Sequence, residues 1–376
     1  MTQDPWYYPR GELAAHILQA FTVVDMIAIF APRRKGKTWF VLRDLSPASI
    51  KRGYVPVYAS LWRTPDKPHV AITESLKLAQ AAMENKKVAW SEYLSKLSSV
   101  SISIVGIGGG SLGLSRKSEA SADELTMMGS RMTELVQEAA KHKRRVLLLI
   151  DEAQHLATSS AFDSTTKSLR TAIEGLRATQ AGSIKVLFTG SSRTDLEALL
   201  EHRNAAFYHS FERQELPDLE RSYTDFVAEQ LARLGKLRVG RDGLWDAFCE
   251  LQKSPYFMQE IIRELMLKRA KTLEEARERV LENIRENPEI SARWNALNAL
   301  EKAVFRRVSI DASLYSAPVM SELAQEVGAK AVTSGQVQNV IRQLTKKGYI
   351  GATSRRGQYR IEDSDLKTWL SMLDRE

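Results

Sequence analysis

The first half of the chain alternates short apolar segments with amphipathic stretches. Four segments, residues 26–30, 55–58, 146–150 and 184–188, are rich in β-branched and other large apolar side chains. Uninterrupted apolar runs of this length are typical of strands that are buried on both faces. Because helical patterns separate them, the sequence predicts βαβ units and a central parallel sheet flanked by helices.

Two changes in this pattern divide the rest of the chain. Residues 98–115 are rich in Gly and Ser with some strand-like alternation, which fits either a β-hairpin-like insertion with a mobile tip or a flexible linker. From about Asp218 the periodicity becomes helical, and Pro288 marks a further boundary. We therefore expect three units, at residues 1–217, 218–288 and 289–376.

The last unit has an order of elements of its own. Its pattern predicts helices at residues 294–308, 318–327 and 334–347, followed by strands at 349–353 and 358–361. A Ser-Arg-Arg-Gly tip separates the two strands, and a further helix follows them. Helix, helix, helix, β-hairpin and helix is the plan of a winged helix-turn-helix domain.

The third helix of this unit is strongly amphipathic. Apolar residues at i, i+3, i+4 and i+7 predict a face toward the core, made by Val337, Val340, Ile341 and Leu344. The opposite face carries side chains that suit base edges and phosphates. These candidate DNA-binding residues are Gln336, Gln338, Asn339, Arg342 and Lys346.

The charge of the same region favours an anionic partner. Residues 334–361 contain six basic residues and no Asp or Glu. We expect Arg355 and Arg356, at the tip between the strands, to lie against phosphate or to enter the minor groove, with double-stranded DNA as the partner. Winged helices also dock proteins, so a protein client is the alternative.

Composition sets wider limits. The chain has 376 residues, of which 43% are hydrophobic, and this is enough for two or three compact units. A single cysteine excludes an intramolecular disulfide framework, and the 6 histidines show no metal-ligand spacing. We expect a cytoplasmic protein without a membrane partner, since no apolar run approaches about 18 residues. A formal net charge of +8 suits nucleotide or nucleic acid.

The loop at residues 31–38, APRRKGKT, follows a predicted strand and precedes an apolar helix start. This is the context of a P-loop, whose backbone N–H groups and helix N-terminus cradle phosphates. Lys37 would reach the β- and γ-phosphates of ATP, and the Thr38 hydroxyl would hold Mg²⁺. Ala31 replaces the first glycine of the motif, which matters only if that residue needs a positive φ. The nucleotide-binding candidates here are Pro32, Arg33, Arg34, Lys35, Gly36, Lys37, Thr38 and Trp39.

Polar residues follow two further apolar segments. Asp151 and Glu152 come directly after residues 146–150, as expected if this strand is central and its carboxyl end faces the phosphates. Asp151 would hold Mg²⁺, and Glu152 would polarise the attacking water as the catalytic base. After residues 184–188, Thr189 or Ser191 is a candidate for sensing the γ-phosphate and positioning water, although Thr-Gly-Ser-Ser is also ordinary loop chemistry.

At these motifs the chain resembles the AAA+ and STAND group of ATPases, in particular the archaeal-type and origin-recognition-like members. Four segments carry the resemblance, which extends along the whole chain in order: APRRKGKT at 31–38, VLLLIDEAQHL at 146–156, LFTGSSR at 187–193 and SPYFMQEIIREL at 254–265. The first two are specific. The resemblance implies a P-loop NTPase domain, a helical lid and a terminal winged helix.

The resemblance also implies further site residues. Tyr8 and Arg10 lie where the family holds adenine, although an N-terminal strap that packs on the core is an equal alternative. The glycine-arginine pair that relatives carry beyond the third strand is missing, which leaves Arg203 and Arg213 as candidate arginine fingers. The lid segment that begins at Ser254 also lacks the usual arginine, and this favours a STAND-like switch over a processive motor.

Two functional hypotheses follow. The first is an ATP-hydrolysing, Mg²⁺-dependent ATPase that binds DNA through its winged helix and uses its nucleotide state to control assembly or partner engagement. ATP-dependent self-association belongs to it, because relatives complete the site with a neighbour's arginine. The alternative is a slowly hydrolysing signalling or anti-phage defence switch whose winged helix docks protein. A non-enzymatic nucleotide-binding scaffold is disfavoured by the intact Lys37, Thr38, Asp151 and Glu152.

Overall fold

The structure is a computed structural model. The residues that it describes are 4–62, 64–84, 92–95, 119–157, 162–191, 196–197, 199–200, 205–310, 314–353 and 357–373. The predicted insertion at 98–115 lies outside these residues, as do Arg203, Arg355 and Arg356.

A five-stranded parallel sheet forms the centre of the first unit, in the order β2-β3-β4-β1-β5. The four apolar strands are β1 (Met26–Phe30), β2 (Tyr54–Ser60), β3 (Arg145–Asp151) and β4 (Ile184–Gly190). They confirm the predicted segments: β1 has the predicted bounds, and the other three strands are two or three residues longer. β1 and β4 are buried along their whole length, as the uninterrupted apolar runs indicated. The carboxyl ends of β1, β3 and β4 therefore meet at one edge of the sheet.

The fifth strand, β5 (Glu212–Glu215), was not predicted. Its sequence, ERQE, is entirely polar, and three of its four residues are exposed. It pairs in parallel with β1 at the end of the sheet, with Ile27 opposite Glu212 and Phe30 opposite Glu215. An edge strand needs no apolar run because pairing on one side is enough to hold it.

Helices cover the sheet and follow the predicted amphipathic stretches. Helix α4 (Pro68–Glu84) packs against β2, and helix α5 (Ala122–Lys141) lies between α4 and helix α6 (Asp163–Thr179). α2 begins at Lys37 and continues through a π-helical turn, Val41–Leu45, into α3. The helices of this unit are α1 (Gly11–Ala20), α2 (Lys37–Phe40), α3 (Ser46–Lys51), α4 (Pro68–Glu84), α5 (Ala122–Lys141) and α6 (Asp163–Thr179), with a 3-10 turn at Ala153–Ala157.

From Arg221 onward the described elements are helices, except for one short sheet near the end. Lid helices α7 (Arg221–Gly235), α8 (Arg241–Glu250), α9 (Pro255–Met266) and α10 (Leu273–Arg285) come first. The terminal module follows with α11 (Pro288–Asn295), α12 (Ala299–Ser309), α13 (Ala317–Glu326), α14 (Ser334–Lys346), β6 (Ile350–Ala352), β7 (Tyr359–Ile361) and α15 (Ser364–Leu373). Buried side chains of the lid and the terminal module form one continuous cluster. Neither part therefore buries its apolar side chains alone.

One predicted helix of the terminal module is two helices. The expected element at 294–308 is split between α11 and α12, and Asn298 caps the second helix in a reciprocal capping box with Glu301. Asn287 caps α11, with Pro288 at its first position. Capping residues of this kind satisfy backbone N–H groups that have no partner inside a helix. The chain therefore restarts a helix where the apolar periodicity alone indicated a continuous one.

The third helix has the faces that its sequence predicted. Val337, Val340, Ile341 and Leu344 of α14 are buried. β6 and β7 pair antiparallel next to it, with Gly351 opposite Arg360. Within the part of the chain that the structure describes, no helix is long and apolar enough to cross a membrane.

Candidate functional site

The loop at residues 31–38 joins β1 to α2 at the carboxyl edge of the sheet. Gly36 has φ of 84° and precedes the helix, so a residue without a Cβ stands where the left-handed conformation is required. Arg34 has φ of 65°, whereas Ala31 is not among the residues with positive φ. The alanine in place of the first glycine therefore causes no backbone strain. Backbone N–H groups at a turn before a helix N-terminus form an anion-binding concavity.

Lys37 reaches across the inside of this loop. It is 5% exposed, and its Nζ donates to the carbonyl oxygens of Ala31 (2.7 Å) and Pro32 (2.9 Å). Burial lowers its pKa, while the negative charges of Glu152 and Asp151 oppose that shift. The ammonium group is thus held in the concavity, where it can meet a phosphate.

Asp151 lies at the end of β3, opposite the loop. It accepts hydrogen bonds from the hydroxyl groups of Thr38 (2.6 Å), Tyr58 (2.9 Å) and Thr189. Burial and the neighbouring charge of Glu152 raise its pKa, although the three hydroxyl groups oppose this. A carboxylate and a hydroxyl oxygen of this kind fit Mg²⁺, which is held in nucleotide sites by one or two protein oxygens together with phosphates and water.

Glu152 follows in a strained conformation, with φ of 57°. Its carboxylate accepts hydrogen bonds from Ser191 Oγ (2.6 Å) and from the side-chain amide of Gln154, which also donates to Ser191 Oγ at 3.1 Å. Burial alone would raise the pKa of Glu152, but the charge of Lys37 and these hydrogen bonds lower it. The three side chains hold an ionised carboxylate in a fixed orientation next to Asp151.

Thr189 and Ser191, predicted as alternatives, thus contact different carboxylates. Thr189 at the end of β4 donates to Asp151, and Ser191 donates to Glu152. Both are buried. The structure brings the two residues to the same edge as Lys37, because β4 lies between β1 and β3 in the sheet.

Two residues of this constellation were missed in the sequence. Tyr58 occupied a predicted strand as one apolar residue among several, yet its hydroxyl binds Asp151. Gln154 stood two residues after Glu152 in DEAQ, and its position shortly after the acidic pair was the available signal. A Cβ at Gly190 would lie 2.8 Å from Gln154 Oε1, so the glycine leaves room for the Gln154 amide.

The N-terminal segment connects the loop with the lid. Arg10 donates from Nη1 to the carbonyl of Pro217 (3.1 Å) and from Nη2 to that of Lys35 (3.1 Å). Tyr8 packs its ring edge-on against Tyr223 and Phe226 of α7. These contacts are those of a strap, which was one of the two interpretations of this segment. Their role toward adenine stays a prediction.

The Arg34 side chain points away from the loop, toward the lid and the terminal module. It forms an ion pair with Asp365 in the first turn of α15. Its guanidinium also lies over the rings of Tyr256 (4.4 Å) and Phe257 (5.1 Å) at the start of α9. Ser254 Oγ donates to the backbone carbonyl of Arg34 at 3.3 Å. One P-loop residue thus contacts residues of both other predicted units.

Lys35 makes a second connection of this kind. Its Nζ donates to Asp218 Oδ1 and to the carbonyl of Gln252, both at 2.7 Å. Burial lowers the pKa of Lys35, and the hydrogen bond and charge of Asp218 oppose the shift. The side chains of Arg34 and Lys35 are therefore engaged with protein. Nucleotide binding by these two residues stays a prediction, and their backbone N–H groups are the part that it concerns.

The predicted DNA-binding helix exposes the expected side chains. Gln336, Gln338, Asn339, Arg342 and Lys346 are all exposed. Gln336, however, closes the helix N-terminus, since its side-chain oxygen accepts from Thr333 N at 2.8 Å in a capping box. Its amide group alone is left for base contacts.

The basic charge around this helix is partly neutralised. Lys347 pairs with Glu301 (2.7 Å), and Arg360 pairs with Glu215 of β5 (3.3 Å). Residues 334–361 contain six basic residues and no acidic residue, but Glu301 and Glu215, which lie earlier in the sequence, neutralise two of the six. Among the described residues, none forms an ion pair with Arg342 or Lys346.

No protein-family model and no curated protein matches this chain. Solved structures do share its fold. A Walker-type ATPase of Pyrococcus abyssi is 16% identical, with a TM-score of 0.61, 97% of this chain covered and 96% of the other. The ORC2 protein of Aeropyrum pernix in ADPNP–ADP complexes is 14% identical, with a TM-score of 0.54 and coverages of 99% and 98%. Its ADP form is 15% identical, with a TM-score of 0.54 and coverages of 97% and 92%. This confirms the predicted P-loop NTPase fold.

Proposed function

We propose that the chain is an ATPase whose nucleotide state is communicated to a DNA-binding terminal module. One observation supports the first half of this proposal: a P-loop with a buried lysine faces two carboxylates whose pKa values are shifted in opposite directions. Asp151 and Glu152 are adjacent, yet burial raises the pKa of the first while Lys37 and hydrogen bonds lower that of the second. Pairs of titratable groups with divergent pKa values are typical of catalytic sites.

Each residue then has a distinct role. Lys37 binds the β- and γ-phosphates of ATP, with the loop N–H groups around it. Thr38 and Asp151 hold Mg²⁺, which neutralises phosphate charge when bound. Glu152, kept ionised and oriented by Ser191 and Gln154, accepts a proton from the attacking water. ADPNP and ADP are bound by the Aeropyrum protein of the same fold, which supports a nucleotide as the ligand.

The second half of the proposal depends on how the P-loop is held. Arg34 contacts Asp365 of the terminal module, and Lys35 contacts Asp218 at the start of the predicted lid. A rearrangement of the loop around phosphates would change these contacts. Nucleotide binding and the position of the terminal module are then coupled thermodynamically. Exposed Arg342 and Lys346 on α14, with the wing next to it, support DNA as the partner of that module.

The same contacts also support the second candidate, a slowly hydrolysing switch. Contacts of the loop with the predicted lid and the terminal module favour a closed form, which ATP would stabilise in such a switch. In that case the terminal module docks a protein client. ATP turnover and its response to DNA separate the two candidates.

The first experiment compares Lys37→Ala and Glu152→Gln with the wild type. Nucleotide titration by calorimetry and steady-state turnover are measured with Mg²⁺, with and without duplex DNA. Lys37→Ala should abolish tight ATP binding, whereas Glu152→Gln should bind ATP and hydrolyse it at least about 100-fold more slowly. Normal turnover by Glu152→Gln would exclude it as the base. A wild type that binds no nucleotide would refute the ATPase proposal.

The control variant is Ser309→Ala. Its hydroxyl donates to the Arg306 carbonyl at the end of α12, in the terminal module and away from the P-loop. The variant should bind and hydrolyse ATP like the wild type. DNA-stimulated turnover favours the DNA-binding ATPase, while slow turnover that DNA leaves unchanged favours the switch.

A further inference from the structure

The P-loop contains three basic residues that the phosphate-binding motif does not require. They are Arg33, Arg34 and Lys35, one after another. Two of them are neutralised by protein, since Arg34 pairs with Asp365 and Lys35 pairs with Asp218. Among the described residues, none forms an ion pair with Arg33, which is exposed. Of the three basic residues, Arg33 is thus the one that no described acid pairs with.

The side chain of Arg33 is directed to the acidic side of the site. Its guanidinium lies 5.7 Å from the ring centroid of Trp62, just beyond the end of β2. The Trp62 ring also contacts His155, with 5.6 Å between centroids, in the 3-10 turn that follows Glu152. Leu61, the neighbour of Trp62, donates its backbone N–H to the carbonyl of Asp151 at 3.1 Å. Trp62 therefore holds Arg33 beside the segment that carries the two carboxylates.

Arg33 therefore lies on the same loop as Lys37 and is linked through the Trp62 ring to His155, three residues after Glu152.

We infer that Arg33 is a catalytic residue that places a positive charge on the γ-phosphate from within the same chain. This rests on the proposed ATPase function. In the reaction the water oxygen forms a bond to the γ-phosphorus, and the bond from that phosphorus to the β,γ-bridging oxygen breaks. Glu152 takes the water proton and releases it to solvent, and ADP and phosphate leave. Negative charge on the transferred oxygens and the leaving oxygen is what a guanidinium at this point stabilises.

The inference changes what is expected of assembly. A site that holds its own arginine does not need a neighbour to complete it, so Arg213 on β5 or a residue of another copy is not required for turnover. ATP turnover per protomer should therefore be independent of protein concentration. Light scattering with nucleotide should show a monomer under the conditions in which turnover is measured.

The decisive variants are Arg33→Ala and Arg33→Lys. The matched control is Arg145→Ala, because Arg145 is also exposed and also lies over an aromatic ring, Tyr54 at 4.4 Å, but at the start of β3 on the opposite edge of the sheet. Melting temperatures of all variants establish that they are folded. Turnover by Arg33→Ala should fall about 100- to 1,000-fold, while Arg33→Lys recovers part of it and the control equals the wild type.

A binding readout separates charge stabilisation from a structural role. Affinities are measured by calorimetry for ADP alone and for ADP with Mg²⁺ and fluoroaluminate, an anion that imitates the transferred phosphoryl group. The wild type should bind ADP more tightly when fluoroaluminate is present. Arg33→Ala should lose most of this gain, whereas its affinity for ADP alone should stay within about threefold of the wild type.

The outcomes discriminate between the two levels of inference. If the wild type hydrolyses ATP and Arg33→Ala does so at the same rate, the assignment of Arg33 is wrong and the ATPase proposal stands. Turnover per protomer that rises with protein concentration would also overturn it, since the arginine would then come from a neighbour. If the wild type neither binds nor hydrolyses ATP, both proposals fail.

Discussion

Replacing Arg34 by glycine should weaken the docking of the terminal module more than replacing Asp365 by asparagine does. The two side chains form an ion pair in which Arg34 is 33% exposed and Asp365 is 15% exposed. Burial raises the pKa of Asp365 even though the charge of Arg34 opposes the shift. The ionised carboxylate is thus on balance unfavourable in the folded protein. Glycine suits the φ of 65° at position 34, so the first variant introduces no backbone strain.

The size of the effect follows from these exposures. Two unit charges about 4 Å apart in an effective dielectric of about 20 attract by about 4 kcal/mol, which is an upper bound before desolvation is subtracted. Leaving Asp365 charged and without its partner should cost about 1 to 3 kcal/mol. Asp365→Asn removes the desolvation cost together with the attraction, so it should cost less than about 1 kcal/mol. In a double-mutant cycle the coupling energy should be about 1 to 2 kcal/mol.

Amide hydrogen exchange of α15 and the P-loop measures this quantity as a local opening free energy. Arg360→Gln is the control, because Arg360 also links the terminal module to the first unit, but its partner Glu215 is 57% exposed. It should change protection by less than about 1 kcal/mol. Equal effects of Arg34→Gly and Asp365→Asn, with no coupling between them, would refute the reasoning.

The pH dependence of amide protection tests the Arg34–Asp365 ion pair independently. The folded-state pKa of Asp365 is raised, so its ionisation costs stability as pH rises through the unfolded and then the folded value. Without Arg34 this pKa rises further and the cost grows. The difference in protection between Arg34→Gly and the wild type should therefore be largest near neutral pH and shrink as Asp365 becomes protonated. A difference that does not vary with pH would contradict this assignment.

Two further predictions concern DNA binding and the core. Arg342→Ala with Lys346→Ala should lower the slope of DNA affinity against salt by roughly 2, at about 0.9 for each phosphate contact, whereas Lys51→Ala with Arg52→Ala on the first unit leaves it unchanged. A wild type without salt-dependent DNA affinity would make the terminal module a protein-docking domain. Asp25→Asn should destabilise the protein by about 1 to 3 kcal/mol in urea unfolding at pH 7, because Lys185, 7% exposed, loses its partner at 2.5 Å. Burial alone would raise the pKa of Asp25, but Lys185 and Arg177 lower it. The loss should therefore diminish as pH falls through that lowered pKa, and a loss that persists in acid would count against the ion pair.

Local pattern was sufficient for much of the fold. The strands β1 to β4 were predictable because a strand buried on both faces must be apolar at every position, and such runs are recognisable without knowing what covers them. The faces of α14 followed from the 3.6-residue period in the same way. The P-loop and the Asp151–Glu152 pair were also visible, since each lies within a few consecutive residues next to a predicted strand.

Tertiary structure alone decided which distant groups meet. β5 is polar and became a strand only because the exposed edge of β1 was there to pair with it. Tyr58 looked like one apolar residue of a strand until the parallel pairing of β2 with β3 brought its hydroxyl to Asp151. Gln154 looked like one polar residue of a turn until the end of β4 brought Ser191 to its side-chain amide. Hydrogen bonds of this kind depend on atoms within about 3 Å, and chain separation says nothing about such distances.

The three basic residues of the P-loop illustrate the division most clearly. The sequence determined that three positive charges follow one another in a phosphate-binding loop, which already implied an anionic ligand. The sequence could not show which of these charges would be paired with an acid. The partner of Arg34 is Asp365, 331 residues away, and the partner of Lys35 is Asp218, 183 residues away. Charges interact according to their distance in space. Only the packing of the lid and the terminal module onto the loop therefore decided that Arg34 and Lys35 pair with acids, whereas Arg33 lies over Trp62 without an ion pair among the described residues.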